Sequence, residues 1–101
     1  MIKLSERELD IVRTILNKHV PTFEVFVFGS RYQGNVHESS DLDIAIKGPA
    51  KLDLLLLANI RDEFQSSELS FRVDLLDFNR ISPEFQDIIL NNSICLNNRE
   101  I

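Results

Sequence analysis

The sequence predicts an α/β (α+β) domain in which helices pack on a small mixed β-sheet. Segments with apolar residues at helical spacing alternate along the chain with short runs of β-forming residues. The length of 101 residues is that of one domain, so we expect a single domain over residues 1–101. A hydrophobic fraction of 44% is ordinary for a globular core and too high for a disordered chain.

The first two elements are a helix and a buried strand. Ser5 and Glu8 have the spacing of a capping box, apolar residues then recur at helical spacing, and Pro21 ends the helix. The run EVFVF at residues 24–28 is rich in β-formers, and Gly29 ends it.

The middle of the chain predicts a second strand and a second helix. The polar segment 30–40 is too short for a crossover helix, so we expect the strand DLDIAIK at 41–47 to run antiparallel to the first. Residues 51–65 favour a helix. Its leucine run, 54–57, predicts burial on more than one side, either wholly in the core or with a strip that faces a partner.

The last third of the chain predicts a third strand and a third long helix. FRVDLLDF at 71–78 alternates as a strand does, and Ser82 followed by Pro83 is typical of a helix start, with the helix ending near Asn91. Ile94 and Leu96 suggest a short edge strand in the tail.

Charge and cysteine content limit the function classes. A net charge of −5 argues against a protein that coats DNA or RNA, which needs a cationic surface, so no direct nucleic-acid partner is expected. The lone Cys95 allows no internal disulfide and fits a reducing compartment; we interpret it as a core or tail thiol. The charged N-terminal segment lacks an apolar signal core, and no run is long enough for a membrane span, so we expect a cytoplasmic protein.

Acidic residues on the second and third predicted strands form the candidate metal site. Asp41 and Asp43 are two apart and share one strand face, while Asp74 points away from the apolar face of its own strand. If the two strands are neighbours, three carboxylates converge and can hold two Mg²⁺ or Mn²⁺ ions about 3.5–4 Å apart, an arrangement suited to phosphoryl transfer. Asp77 has the opposite parity and is a much weaker candidate.

The turn after the first strand is the candidate phosphate site. Gly29 lets the backbone approach a ligand, and a helical turn that starts at Ser30 would present free N–H groups to a phosphate. The Ser30 hydroxyl would add a hydrogen bond, and Arg31 would contact phosphate or a partner protein.

Each of these assignments has a purely structural alternative. Asp41 and Asp43 would then be a solvated strand face, and Asp74 would pair with Arg72 or an amide. Ser30 would serve only as a helix N-cap, and Arg31 would be a surface charge.

Gly29-Ser30, ten further residues and Asp41-Leu-Asp43 together resemble the signature of the DNA polymerase β-type nucleotidyltransferases. The chain is most similar to the minimal nucleotidyltransferases of HEPN/MNT toxin–antitoxin pairs, over about residues 5–92. The resemblance implies the polymerase β-type fold, with Asp41, Asp43 and Asp74 as catalytic metal ligands and Gly29, Ser30 and Arg31 at the nucleotide.

The resemblance also implies an activity and a partner. The chain would be a Mg²⁺-dependent adenylyltransferase antitoxin that transfers AMP from ATP to a hydroxyl, typically tyrosine, of a four-helix HEPN toxin with RNase activity, and it would form a hetero-oligomer with that toxin. Tyr32 departs from the family pattern, in which this position is often small. A ring there favours an alternative, a catalytically degenerate antitoxin that silences its partner by binding alone. A third interpretation is a subunit that adds nucleotides to RNA or to a small molecule.

Overall fold

The computed structural model describes residues 3–33 and 41–96, with only the backbone described for Ser30 and Gln33. These residues form a four-stranded sheet, three long helices and one short helix. In chain order the elements are α1 (Glu6–His19), β1 (Glu24–Phe28), α2 (Ser30–Gln33), β2 (Leu42–Lys47), α3 (Leu54–Gln65), β3 (Val73–Asp77), α4 (Pro83–Asn91) and β4 (Ser93–Leu96). A 3-10 turn, Phe78–Arg80, joins β3 to α4.

The sheet is mixed, with the strand order β3-β2-β1-β4. β1 pairs antiparallel with both β2 and β4, whereas β2 and β3 run parallel. The predicted antiparallel pairing of the first two strands is therefore confirmed, and so is the short edge strand in the tail. The α/β (α+β) fold class predicted from the sequence is also confirmed.

The main core lies between one face of the sheet and the helices α1 and α3. Strand residues with alternate spacing point to this face, because successive side chains in a strand face opposite ways. They meet the apolar stripes of the two helices in one buried cluster, which includes Val12, Leu16, Val25, Val27, Leu42, Ile44, Ile46, Leu57, Ile60 and Leu75.

A smaller cluster covers the opposite face of the sheet under α4. It consists of the buried residues Phe26, Ala45, Phe78 and Ile89. Phe26 and Phe78 are in ring contact at a centroid distance of 5.8 Å. This face also carries the strand acids, because Asp43 shares its parity with Ala45 on β2.

The helix starts follow the capping signals in the sequence. In α1 the hydroxyl of Ser5 accepts from the N–H of Glu8, and the Glu8 carboxylate accepts from the N–H of Ser5, which completes the predicted capping box. In α4 the Ser82 hydroxyl accepts from the Phe85 N–H, with Pro83 at the first helical position. Across the described parts of the chain, no helix has the length and apolar character of a membrane span.

Helix α3, which was predicted as the second helix, differs from two expectations. It begins at Leu54 rather than at residue 51, because Asp53 is its N-cap. The leucine run 54–57 is not wholly in the core, which leaves the alternative of a core residue beside a strip that faces a partner. α3 buries one face, and Leu54 and Leu55 are 63% and 67% exposed at its first turn. α1 and the sheet cover only the side of the helix that carries Leu57 and Ile60.

A polar contact joins the end of α1 to α3. The Nε2 atom of His19 lies 2.8 Å from Oε1 of Glu63, and the Nζ atom of Lys18 lies 3.2 Å from the same oxygen. The hydrogen bond to His19 is the main cause that lowers the pKa of Glu63. This contact fixes the C-terminal turn of α1 at the rim of the main core.

Candidate active site

Two of the predicted metal ligands lie side by side on neighbouring strands. In the parallel β2–β3 pair, Asp43 is the register partner of Asp74. Side chains at paired positions point to the same face of a sheet, so both carboxylates stand on the α4 side. Asp41 precedes β2 by one residue, and its side chain is 37% exposed. The adjacency of these two strands, on which the predicted convergence of carboxylates depends, is confirmed.

The Asp43 carboxyl lies in an unfavourable environment for its charged form. Burial raises the pKa of the half-buried Asp43 carboxyl, and the nearby carboxylates of Asp74 and Asp41 raise it further. Arg72 partly offsets these effects. The site therefore carries an excess of negative charge that a bound cation would relieve.

Arg72 is a positive charge in direct contact with this group of acids. Its Nη2 atom donates to Oδ2 of Asp41 at 2.9 Å, and this hydrogen bond is the first cause of the raised pKa of Arg72. The backbone of Arg72 is also fixed here, since its carbonyl accepts from the N–H of Leu42 at 2.9 Å. The structural alternative paired Asp74 with Arg72 or an amide, and the hydrogen bond described for the Arg72 side chain goes to Asp41 instead.

The donor set suits a hard divalent cation. Asp41, Asp43 and Asp74 supply carboxylate oxygens, which Mg²⁺ and Mn²⁺ prefer. Across residues 3–33 and 41–96, no three Asp, Glu, His or Cys side chains lie close enough together to form a ready-made metal site. The Asp41 carboxylate is engaged by Arg72 in this arrangement. Metal binding by the three acids stays a prediction.

A tight turn after β1 brings the backbone against Asp43. Gly29 has φ of +80°, in the left-handed region that side chains disfavour. A Cβ atom at Gly29 would overlap Oδ2 of Asp43 and lie 3.0 Å from its Cγ atom. Glycine is thus required both by the conformation and by the closeness of the carboxylate.

The helical turn predicted at Ser30 is present. α2 begins at Ser30, and the N–H of Tyr32 donates to the Gly29 carbonyl at 3.1 Å. Tyr32 is half-buried. The Ser30 side chain lies outside the described part of the chain, so its contact with phosphate stays a prediction.

Arg31 is buried, with only 5% exposure, so its interpretation as a surface charge is wrong. Its Nη1 atom donates to the Lys3 carbonyl at 2.8 Å, and its guanidinium lies 3.9 Å from the ring centroid of Phe71. The N–H of Lys3 donates back to the Arg31 carbonyl at 3.0 Å. These contacts hold α2 against the start of the chain, and a phosphate contact by Arg31 stays a prediction.

Comparison with known families agrees with this geometry. The family model described as "Polymerase beta, Nucleotidyltransferase" matches residues 9–101. The chain belongs to this family. It is therefore a nucleotidyltransferase, and the family assignment made from Gly29-Ser30 and Asp41-Leu-Asp43 is confirmed.

Individual relatives of this nucleotidyltransferase carry more specific names. A Haemophilus influenzae protein named as a probable protein adenylyltransferase, MntA, is 38% identical over 99 residues, which are 98% of this chain and 87% of that protein. A crystal structure of a toxin–antitoxin with AMP-PNP has a TM-score of 0.73 at 25% identity, over 85% of this chain and 69% of the other. A structure assigned provisionally as a minimal nucleotidyltransferase has a TM-score of 0.72 at 26% identity, over 93% and 98% of the two chains.

The structural role of Asp77 was not foreseen from the sequence, which offered this acid only as a weak candidate for the metal site. Asp77, with a side chain only 1% exposed, accepts hydrogen bonds from the N–H groups of Leu52 and Asn79 and from Nε of Arg80. Arg80 in turn donates to the Leu52 carbonyl at 2.6 Å. Asp77 thus ties the β2–α3 connection to the end of β3. The spacing of Asp77 and Asn79 predicts the local turn that their hydrogen bond closes. It does not predict the contact with Leu52, which is 25 residues away in the sequence.

Proposed function

We propose that this nucleotidyltransferase is a Mg²⁺-dependent protein adenylyltransferase and antitoxin, which transfers AMP from ATP to a tyrosine hydroxyl of a HEPN-family toxin. The observation that carries the proposal is the pairing of Asp43 with Asp74 on adjacent strands, beside the Gly29 turn, in a chain of this family.

Asp41, Asp43 and Asp74 are the residues that would hold the metal, as two Mg²⁺ ions or with Mn²⁺ in their place. When bound, the cations neutralise phosphate charge and polarise the reacting oxygens. The raised pKa of Asp43 supports this assignment, because the crowded negative charge that raises it is what a cation offsets. Like charges at paired positions of neighbouring strands destabilise a sheet unless something offsets them.

The reaction is a single displacement at phosphorus. The acceptor oxygen forms a bond to the α-phosphorus of ATP, the bond from that phosphorus to the oxygen bridging the β-phosphate breaks, and pyrophosphate leaves. The hydroxyl proton is released to water or to a nearby carboxylate. The protein contributes position and charge complementarity rather than a covalent intermediate.

The turn at Gly29, Ser30 and Arg31 is the part of the chain that would receive the triphosphate. Gly29 leaves the backbone open beside Asp43, so phosphate oxygens could reach both the turn and the cations. The buried Arg31 would contribute positive potential beneath the turn and keep it in place.

A toxin partner is supported by the relatives, one named for protein adenylylation and one solved as a toxin–antitoxin. The net charge of −5 disfavours nucleic acid as the acceptor. The exposed Leu54 and Leu55 would suit a hetero-oligomeric contact, because apolar side chains at such exposure gain from being covered.

The proposal is tested with α-labelled ATP, Mg²⁺ and the product of the neighbouring gene. We expect label on the partner protein, none in EDTA, and loss of labelling by about a hundredfold or more with Asp43→Asn. Asp62→Asn, at an exposed position on α3, is the matched control and should label as wild type does. Labelling that Asp43→Asn leaves unchanged would contradict the proposal.

The same assay separates the alternatives. A protein that neutralises the toxin by binding alone would give no label. In a parallel assay of toxin activity, Asp43→Asn would then neutralise the toxin as well as wild type does. A subunit that acts on RNA would label added RNA and leave the partner protein unlabelled.

A further inference from the structure

Arg72 binds one of the carboxylates that would hold the metal ion. It is the residue that donates to Asp41, with 2.9 Å between Nη2 and Oδ2, and it lies two positions before Asp74 on the adjoining chain segment. Arg72 thus places a guanidinium beside the proposed metal ligands. We propose that Arg72 is a resident counter-cation that neutralises Asp41 in the metal-free protein and competes with the divalent cation for that carboxylate. This inference rests on the proposed metal-dependent function.

The anchoring of Arg72 favours such a role. Its carbonyl accepts from the N–H of Leu42, so its backbone is fixed beside the strand that carries Asp43. Its side chain is nevertheless 77% exposed. Because the backbone of Arg72 is fixed and its side chain is solvated, the guanidinium can leave Asp41 without disturbing the core. A buried arginine such as Arg31 has no such freedom.

Other arginines near this edge of the sheet are engaged elsewhere. Arg61 donates to the Leu75 carbonyl at 3.2 Å, and Arg31 is stacked on Phe71. Among the contacts described for residues 3–33 and 41–96, the hydrogen bond to Asp41 is therefore made by Arg72 alone. Release of Arg72 would remove this described contact and leave the Asp41 carboxylate open to a cation.

The expected competition is modest because the pair is exposed. An exposed ion pair contributes little free energy, so little is needed to displace Arg72 from Asp41. Removing the positive charge also ends its repulsion of the incoming cation, which favours binding by a comparable amount. Mn²⁺ should therefore bind about three- to tenfold more tightly without Arg72. A residue that only supported Asp41 would have the opposite effect, since its loss would leave the carboxylate misplaced and weaken binding.

The experiment is a titration of the whole protein with Mn²⁺ alone, in which electron paramagnetic resonance measures the free Mn²⁺. Arg72→Gln is compared with wild type and with Lys47→Gln. Lys47 is a matched control because it pairs with Glu24 at 3.6 Å, at the opposite end of β2. Removing either cation changes the net charge equally. Tighter binding by Arg72→Gln, with Lys47→Gln near wild type, supports the proposal.

A second readout is the melting temperature. In EDTA, Arg72→Gln should melt about 2–6 °C below wild type, and saturating Mn²⁺ should remove the difference. Weaker Mn²⁺ binding by Arg72→Gln, binding equal to that of Lys47→Gln, or a melting temperature in EDTA at or above that of wild type would overturn the inference alone. Absence of Mn²⁺ binding by wild type would overturn the proposed function together with it.

Discussion

A pair of substitutions at Asp74 and Asp77 separates the proposed metal ligand from the acid that stabilises the fold. The two acids lie three residues apart on β3 and face opposite sides of the sheet. Asp77 is buried at the end of the strand, whereas Asp74 is exposed beside Asp43. Asp77→Asn and Asp74→Asn are isosteric and remove the same charge. We expect the first to lower stability and the second to abolish nucleotidyl transfer with little effect on stability.

The magnitude follows from the hydrogen bonds at Asp77. Its carboxylate accepts from Leu52 N at 2.7 Å, from Arg80 Nε at 2.9 Å and from Asn79 N at 3.0 Å. A hydrogen bond to a charged group contributes about 1.5–3 kcal/mol, and an amide keeps only one of the two acceptor oxygens. The partly exposed Arg80 recovers some of its loss in water, so we expect Asp77→Asn to cost about 2–4 kcal/mol.

Urea denaturation followed by circular dichroism measures this difference. A loss of that size lowers the melting temperature by roughly 10–25 °C in a domain of this length. Asp74→Asn should stay within about 0.5 kcal/mol of wild type, because an exposed side chain away from packing contacts has little effect. A cost below about 1 kcal/mol for Asp77→Asn, or equal costs for the two variants, would refute this separation of roles.

Three further predictions follow from the described contacts. In EDTA, Asp43→Asn should be more stable than wild type at neutral pH. The pKa of Asp43 is raised in the folded protein, so its carboxylate does not destabilise the fold below the unfolded pKa and destabilises it increasingly as pH rises through the folded pKa. Melting curves of the two proteins that differ by the same amount at every pH would contradict this prediction. Gly29→Ala should weaken Mg²⁺-dependent AMP-PNP binding about tenfold or more, because the added methyl group displaces Asp43. Gly48→Ala is the control, since the nearest atoms to its methyl group belong to the ring of Phe23, and it should leave binding unchanged. Equal calorimetric affinities of the two variants would contradict this prediction. Glu63→Gln should reduce stability at neutral pH but not in strong acid. The pKa of Glu63 is lowered in the folded protein, so its carboxylate stabilises the fold above the unfolded pKa and ceases to do so as pH falls through the folded pKa. A stability difference in urea that does not change with pH would count against this prediction.

Local signals in the sequence were sufficient to predict most of the fold. The capping box at Ser5, the run EVFVF and the Ser82-Pro83 start each give their element through contacts within a few residues. The parity of Asp43 and Asp74 also follows from strand geometry, which depends only on sequence spacing.

Contacts between distant segments could not be predicted in this way. The bond from Asp77 to Leu52 and that from Arg72 to Asp41 span 25 and 31 residues. The exposure of Leu54 and Leu55 depends on how far α1 covers α3, which the leucine run alone does not determine. The burial of Arg31 depends likewise on Lys3 and Phe71, which meet only in the folded chain.

Calorimetric titration with AMP-PNP tests the central claim most directly. We expect wild type to bind the nucleotide in Mg²⁺ and not in EDTA, with Asp43→Asn weakened by about tenfold or more in Mg²⁺ and the surface control Asp62→Asn unchanged. Equal affinity in Mg²⁺ and EDTA, or an affinity that Asp43→Asn does not alter, would contradict a metal site built from the acids of β2 and β3.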